Sequence, residues 1–206
     1  MVVLNNIVNN ITPYIMAGGK SSRLGLDKRL IKFNNKSLII HARDMIFDVF
    51  DREPVFVGDN LSELNLNDMV CIPDTRADCG LLGGLISALE HCPTDYAFVL
   101  SADRPLLTKT TIVQLLENID SVNDVTIVQN GEYLEPLIAA YNKKTLPFWR
   151  KRLEEETYKL TDGINQLSNH RIDMSENQLE LLNINTPDDM KILESHEIEN
   201  YSDTRR

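Results

Sequence analysis

The sequence predicts a single α/β domain whose mixed, mostly parallel sheet carries helices on both faces. Three observations lead there. Short apolar runs alternate with helical patterns along the chain, with no internal repeat and no low-complexity linker, the signature of strands connected by helices. Tyr96-Ala97-Phe98-Val99-Leu100-Ser101 is almost continuously apolar, as a parallel strand covered on both sides must be. Finally, Gly18-Gly19 follows a strand-like run, and Gly80 to Gly84 opens a helical one; both are places where a backbone can approach a ligand or a neighbouring element closely.

Composition bounds the possibilities. The 206 residues suffice for one domain with a substantial core. A formal net charge of −10 disfavours a nucleic acid or an acidic membrane as the main partner. The charge is uneven, however: from Gly18 to Lys36 there are six Lys/Arg and one acid, Asp27, a local +5 that suits a small polyanion. Cys71, Cys79 and Cys92 form no C-x-x-C pair, which favours a reduced, cytoplasmic setting. Residues 1 to 12 lack the basic and apolar regions of a signal peptide, and no stretch reaches membrane-spanning length.

Taken in order, Met1 to Thr12, with four asparagines, reads as a frayed extension. Tyr14-Ile15-Met16 ends the first strand, and Ala17, Gly18 and Gly19 then shed side-chain bulk so that main-chain N–H groups can face phosphate oxygens. Lys20, Arg23, Lys28 and Arg29 place cations around the same spot. The P-loop pattern fails here, because Tyr14 stands where its first glycine belongs, and G-x-G-x-x-G fails because Gly18 and Gly19 are adjacent. Phe33 to Ser37 carries turn chemistry, and Ser37 is a candidate N-cap for a helix over 38–50. His41 on that helix is expected to be solvated or capping. Pro54 to Gly58 and Met69 to Pro73 read as further strands, whose ends put Asn60 and Asp74 where a base or ribose would be read. Gly80 to Leu89 opens a helix with small residues that serve either a ligand or tight packing on the sheet.

Tyr96 to Ser101 runs into Ala102-Asp103-Arg104-Pro105. An acid at the tip of the central strand suits Mg²⁺, which takes one or two carboxylates together with substrate phosphates and water. Thr108 is the better cap for the helix that follows. Asn130-Gly131 predicts a hairpin between two β-type runs, and Pro136 in the second run points to an edge strand or a bulge. Trp149 and the charged cluster Arg150 to Glu156 fit an amphipathic helix with a solvated face, and Thr161-Asp162-Gly163 a cap and turn. Late in the chain, Asn183 and Asn185 lie two apart in extended chain and offer donors and acceptors on one side. Thr186 caps a helix starting at Pro187, and His196 to Arg206 reads as a frayed end.

Ala17-Gly18-Gly19-Lys20-Ser21-Ser22-Arg23-Leu24-Gly25-Leu26-Asp27-Lys28 resembles the nucleotide loop of the molybdenum cofactor guanylyltransferases, L-A-G-G-x-S-x-R-M-G-x-D-K, with Met16 and Leu24 as departures. Gly80 to Leu89 is similar to their G-P-L-A-G-x-x-x-A-L, with Leu81 for the proline and Gly83 for the alanine. Ala102-Asp103-Arg104-Pro105 resembles C-D-x-P, Glu135-Pro136-Leu137 their x-P-L/T segment facing the acceptor, and Asn183 to Asp189 their N-I-N-T-P-E-D/E with Asp188 for the glutamate. The resemblance spans Tyr14 to about Leu193. It implies a Rossmann-like fold of the nucleotide-diphospho-sugar transferase type, with a transferase domain over 13–195 between the extension 1–12 and the tail 196–206.

The implied reaction transfers GMP from GTP to molybdenum-molybdopterin and releases pyrophosphate. Lys28, Arg23 and Asp103 are the implied catalytic residues, with Mg²⁺ on Asp103. Met16, Ala17, Gly18, Gly19, Lys28, Asn60, Asp74 and Asp103 would bind nucleotide, and Asn183 and Asn185 the pterin acceptor. Molybdenum-insertion and molybdoenzyme-maturation proteins are implied partners; nucleic acid and membrane are not. Cytidylyl transfer, sugar-phosphate nucleotidyl transfer and nucleotide sensing without turnover stay open as alternatives. Gly18 favours guanine, since the related cytidylyltransferases read L-A-A-G at this loop.

Overall fold

The computed structural model describes residues 7–18, 27–59, 66, 69–74, 76 and 79–203. Its strands in chain order are β1 (Ile11–Met16), a small hairpin of β2 (Lys32–Phe33) and β3 (Lys36–Ser37), β4 (Val55–Val57), β5 (Cys71–Ile72), β6 (Tyr96–Ser101), β7 (Val125–Asn130), β8 (Tyr133–Asn142) and β9 (Asn169–Asp173). The helices are α1 (Leu38–Phe50), α2 (Leu81–His91), α3 (Lys109–Glu117), α4 (Leu146–Glu154), α5 (Leu160–Ile164) and α6 (Pro187–Asp203). Seven strands form one sheet in the order β5-β4-β1-β6-β8-β7-β9. Strands β5, β4, β1 and β6 are parallel neighbours, β7 pairs with β9 in parallel, and β8 opposes both β6 and β7.

The continuous apolar runs explain why helices cover both faces. Along β1, β4 and β6, alternate side chains enter different clusters: Ile15, Phe56, Phe98 and Leu100 pack with Ile39, Ile46, Ile112 and Leu115 of α1 and α3. Tyr14, Met16, Val55, Val57 and Val99 pack with Leu82, Leu85, Ile86 and Leu89 of α2, and with Trp149, Leu160 and Ile164 from α4 and α5. Each fully buried side chain of this kind contributes roughly 1.5–3 kcal/mol of transfer free energy, so a strand apolar on one side only could not hold this architecture. A third, small cluster of Phe33, Leu38, Ile184 and Leu193 ties the β2–β3 hairpin to the segment before α6. That hairpin turns on Asn34 and Asn35, at φ 48° and 62°, a left-handed pair that asparagine tolerates better than most residues.

Several expectations need correcting. The second strand of the Asn-Gly hairpin, β8, is an interior strand and not an edge. Pro136 is accommodated by the other route: the β7–β8 register shifts between Ile127 and Gln129, and the β6–β8 pairs end at Ile138. No ladder bond is therefore asked of its missing N–H. The stretch expected to be a cap and turn around Thr161 is helix α5, where a Cβ on Gly163 would lie 2.4 Å from a Trp149 ring atom. β9 went unread because its sequence, Asn-His-Arg-Ile-Asp, buries only Ile172 as an edge strand. β1 starts at Ile11, inside the expected extension, and Val8 is already buried in the core. α6 continues to Asp203, through residues expected to fray. Ser37 does precede α1, but its side chain makes no capping bond; His41, half-buried, bonds the Phe33 carbonyl. Thr108 caps α3 as expected, accepting from Thr111 N at 3.4 Å.

Candidate active site

Parallel strands that stop together leave a crevice at their carboxyl ends. Here Met16 lies opposite Val57 on one side and Ser101 on the other, so Ala17-Gly18, Gly58-Asp59 and Ala102-Asp103 leave the sheet side by side. The close approach is specific. A Cβ on Gly58, whose φ is +151°, would lie 2.6 Å from Gly18 N, nearer than real Cβ contacts come. Arg29 then ties the two strand ends: its Nη1 donates to Ala17 O at 2.8 Å and to Asp59 O at 3.3 Å, while Nε donates to Asp27 Oδ1 at 2.8 Å. The guanidinium expected to join the phosphate cations is thus held by backbone carbonyls and Asp27, whose carboxyl it keeps below the usual range.

Lys28, one residue earlier, faces into the crevice. Its Nζ pairs with Asp103 Oδ2 and donates to Asn185 Oδ1 at 3.1 Å. Three sequence motifs separated by up to 157 positions therefore meet on one ammonium group. Asp103 terminates β6, the fourth of the seven strands, and is buried. Its Oδ1 has no hydrogen-bond partner among the described residues, and burying a polar oxygen without a partner is costly. A hard, buried, unpaired oxygen beside the loop that would carry phosphates fits a divalent cation. Among the described residues no cluster of three or more His, Cys, Asp or Glu gathers to hold a metal, so an ion at Asp103 would complete its shell with phosphate oxygens and water.

The late motif is anchored at the same place. Ile184 is fully buried in the small third cluster, and its N–H donates to Asp103 O at 3.0 Å. Asn185 and Thr186 donate backbone N–H groups to Asp189 Oδ2 at 2.9 and 2.7 Å, and Thr186 Oγ1 accepts from Asp189 N at 3.2 Å, a reciprocal capping arrangement. Asn183 Oδ1 is buried with no partner among the described residues. Two residues that the sequence reading did not single out complete this side. The buried Arg104 guanidinium pairs with Glu135 at the start of β8 and donates to Leu181 O. Burial raises the Glu135 carboxyl, the Arg104 charge opposes that rise, and the nearby Asp103 adds to it.

Met16, Ala17, Gly18, Lys28, Asp103 and Leu137 line one cleft together with Arg29, Leu81, Ser101 and Ala102. Asp74, just after β5 and so beyond β4, is not among the residues that line it. Its Oδ1 accepts from Arg76 N at 3.1 Å, and it packs under α2, where a Cβ on Gly83 would lie 2.6 Å from that oxygen and one on Gly84 2.6 Å from Met16 Cε. The small residues opening α2 therefore serve packing. Gly19, Arg23 and Asn60, expected at the nucleotide, lie outside the described residues. A larger cavity of about 350 Å³ opens at the opposite end of β1 and β6, between Ile7, Ile11, Tyr96 and Ile119; its lining carries no cation, so it does not suit a polyphosphate.

Comparison with known proteins agrees with this geometry. A family described as "MobA-like NTP transferase domain" matches residues 14–170. An Aquifex aeolicus protein named "Probable molybdenum cofactor guanylyltransferase" is 30% identical over 181 residues, covering 87% of this chain and 88% of its own. The "Molybdenum cofactor guanylyltransferase" of Vibrio cholerae is 25% identical over 177 residues, covering 85% and 87%. A crystal structure of a protein from Aquifex aeolicus superposes with a TM-score of 0.74 at 29% identity, over 86% of this chain and 94% of that one. The fold is that of the nucleotide-diphospho-sugar transferases. A loop-borne lysine meeting the carboxylate that ends the middle strand, matched in sequence across nearly the whole sheet, establishes that the chain belongs to the MobA-like NTP transferase family.

Proposed function

We infer that the protein is a molybdenum cofactor guanylyltransferase: it transfers GMP from GTP to molybdenum-molybdopterin and releases pyrophosphate. The observation that carries this reading is the convergence of Lys28, Asp103 and Asn185, which joins the nucleotide loop, the metal-type acid and the late Asn-Ile-Asn motif at one point. The names of the relatives support the same substrates.

In this reading the main chain at Gly18, with Lys28 beside it, receives the triphosphate. Asp103 would hold Mg²⁺ through its buried, unpaired Oδ1; when bound, that ion neutralises phosphate charge and helps the pyrophosphate leave. An oxygen of the acceptor's terminal phosphate attacks the α-phosphorus, a new P–O bond forms there, and the bond to the pyrophosphate oxygen breaks. Lys28 then turns from Asp103 toward the charge building on the α-phosphate and leaving group. Asn183 and Asn185 orient the pterin half. Nothing in this scheme needs a protein nucleophile, since in-line positioning and charge neutralisation supply the catalysis.

Pyrophosphate release, measured with each nucleoside triphosphate in the presence and absence of molybdenum-molybdopterin, tests the reading. Release is expected with GTP and Mg²⁺ and only when acceptor is present. Equal or faster release with CTP would replace guanylyl by cytidylyl transfer, and tight GTP binding without release would leave a nucleotide sensor.

A further inference from the structure

Arg104 occupies the unspecified position of Ala102-Asp103-Arg104-Pro105, yet it is only 8% exposed and its guanidinium is nearly enclosed. An arginine is rarely buried unless its charge and donors are used. Here one terminal nitrogen pairs with Glu135 and the other donates to Leu181 O. Those two partners belong to separate elements: Glu135 is on β8, and Leu181 begins the strip that leads to Asn183 and Asn185. Main-chain Asp103 O holds the same strip through Ile184 N. The strip is therefore bonded twice to the end of β6, once by backbone and once by the guanidinium. Asn183 Oδ1 and Arg104 Nε, each buried and unpartnered among the described residues, lie along it.

We propose that Arg104 is a positioning residue for the acceptor: its planar fork sets the separation between the β8 end and the Leu181–Asn185 strip, and so the placement of Asn183 and Asn185. This rests on the acceptor reading given above. A lysine could satisfy Glu135 or Leu181 O but has no rigid fork to span both. Removing the arginine leaves the half-buried Glu135 carboxylate without its counter-charge, so the β8 end and the strip part. The main chain at Ala17, which leads into the nucleotide loop, is held by Val57 O and the Arg29 guanidinium instead.

The test combines kinetics with backbone amide exchange on Arg104→Met, Arg104→Lys and Glu135→Gln in the full chain. In Arg104→Met the acceptor KM is expected to rise about tenfold or more, within the cost of misplacing a substrate by about 1 Å, while the GTP KM stays within about threefold. Amides 181–186 should exchange faster with α1 and α2 unaffected, Glu135→Gln should move both readouts the same way by less, and methylguanidinium should partly restore Arg104→Met. Equal rises in both KM values, or unchanged exchange over 181–186, would overturn the proposal. Should Arg104→Met not fold, Arg104→Lys and Glu135→Gln carry the same two comparisons. If the wild-type enzyme turns over no pterin acceptor, the functional reading fails, and the exchange data still decide whether Arg104 holds the strip.

Discussion

Lys28 is placed so that one ammonium contacts a carboxylate and an amide drawn from the middle and the end of the chain. Lys28→Ala should lower kcat by about 10²- to 10³-fold, the usual cost of deleting one charge-stabilising donor, with the circular dichroism of a folded chain and a lowered thermal midpoint, since buried Asp103 loses its counter-charge; near-normal turnover would remove Lys28 from the chemistry. Asp74 makes a different kind of prediction. Burial under α2 lifts its carboxyl above the ordinary range, opposed by the Arg76 N–H and reinforced by Asp59. The native state then holds a proton that the unfolded chain releases near pH 3.9 (roughly, by model peptides). Stability therefore falls as pH climbs through that window, and the deficit is complete above the folded value. Asp74→Asn, whose amide oxygen can still accept from Arg76, should match wild type in acid and exceed it at neutral pH; thermal melts of the unliganded protein across pH 3.5–8 check this, and a wild type that gains on the variant as pH rises would refute it. Lys28 and Asp103 were legible in the sequence because a strand end and a local motif mark each. Arg29, Arg104 and Glu135 were not, since their roles come from partners 12 to 77 positions away that no local pattern announces.

At the level of the element, α2 shows how a glycine pair reads ambiguously until its neighbours are known. An alanine in a helix interior gains up to about 1 kcal/mol over glycine, but overpacking costs about 1–3 kcal/mol. At Gly83 the added Cβ would meet Arg76 O, a backbone atom, at 2.8 Å and Asp74 Oδ1 at 2.6 Å; at Gly84 its nearest neighbour is the Met16 Cε, the mobile end of a flexible side chain. Gly83→Ala should thus destabilise the protein in urea titration, and Gly84→Ala should cost less; the reverse order would mean that propensity wins over packing. α3 was readable because apolar period and a working cap coincide, α1 from its apolar period, and β6 from its unbroken apolar run. β9 was not, because an edge strand needs few apolar residues, and Pro136 left β8 open between an edge strand and a bulge, which the register shift inside an interior strand decides.

For the molecule as a whole, nucleotide binding should appear as stability, because only the folded sheet brings Lys28 to Asp103. At a hundredfold excess over Kd, binding adds about 2.7 kcal/mol, or about 5–10 °C in midpoint for a chain of this size. Thermal scans are expected to show that shift for GTP with Mg²⁺, a smaller one for CTP, and little for GTP with Lys28→Ala; a larger shift with CTP would reassign the base. The reversed direction of β8 has an effect beyond accommodating Pro136. A strand laid head to tail against its neighbours delivers its beginning, and the tip of the turn before it, to the rim where the others deliver their ends. The rim thus draws on two independent parts of the chain, the end of β1 at Met16 to Gly18 and the first half of β8 at Leu137, so lengthening the turn before β8 could reshape what is admitted on that flank and leave the β1 end as it is.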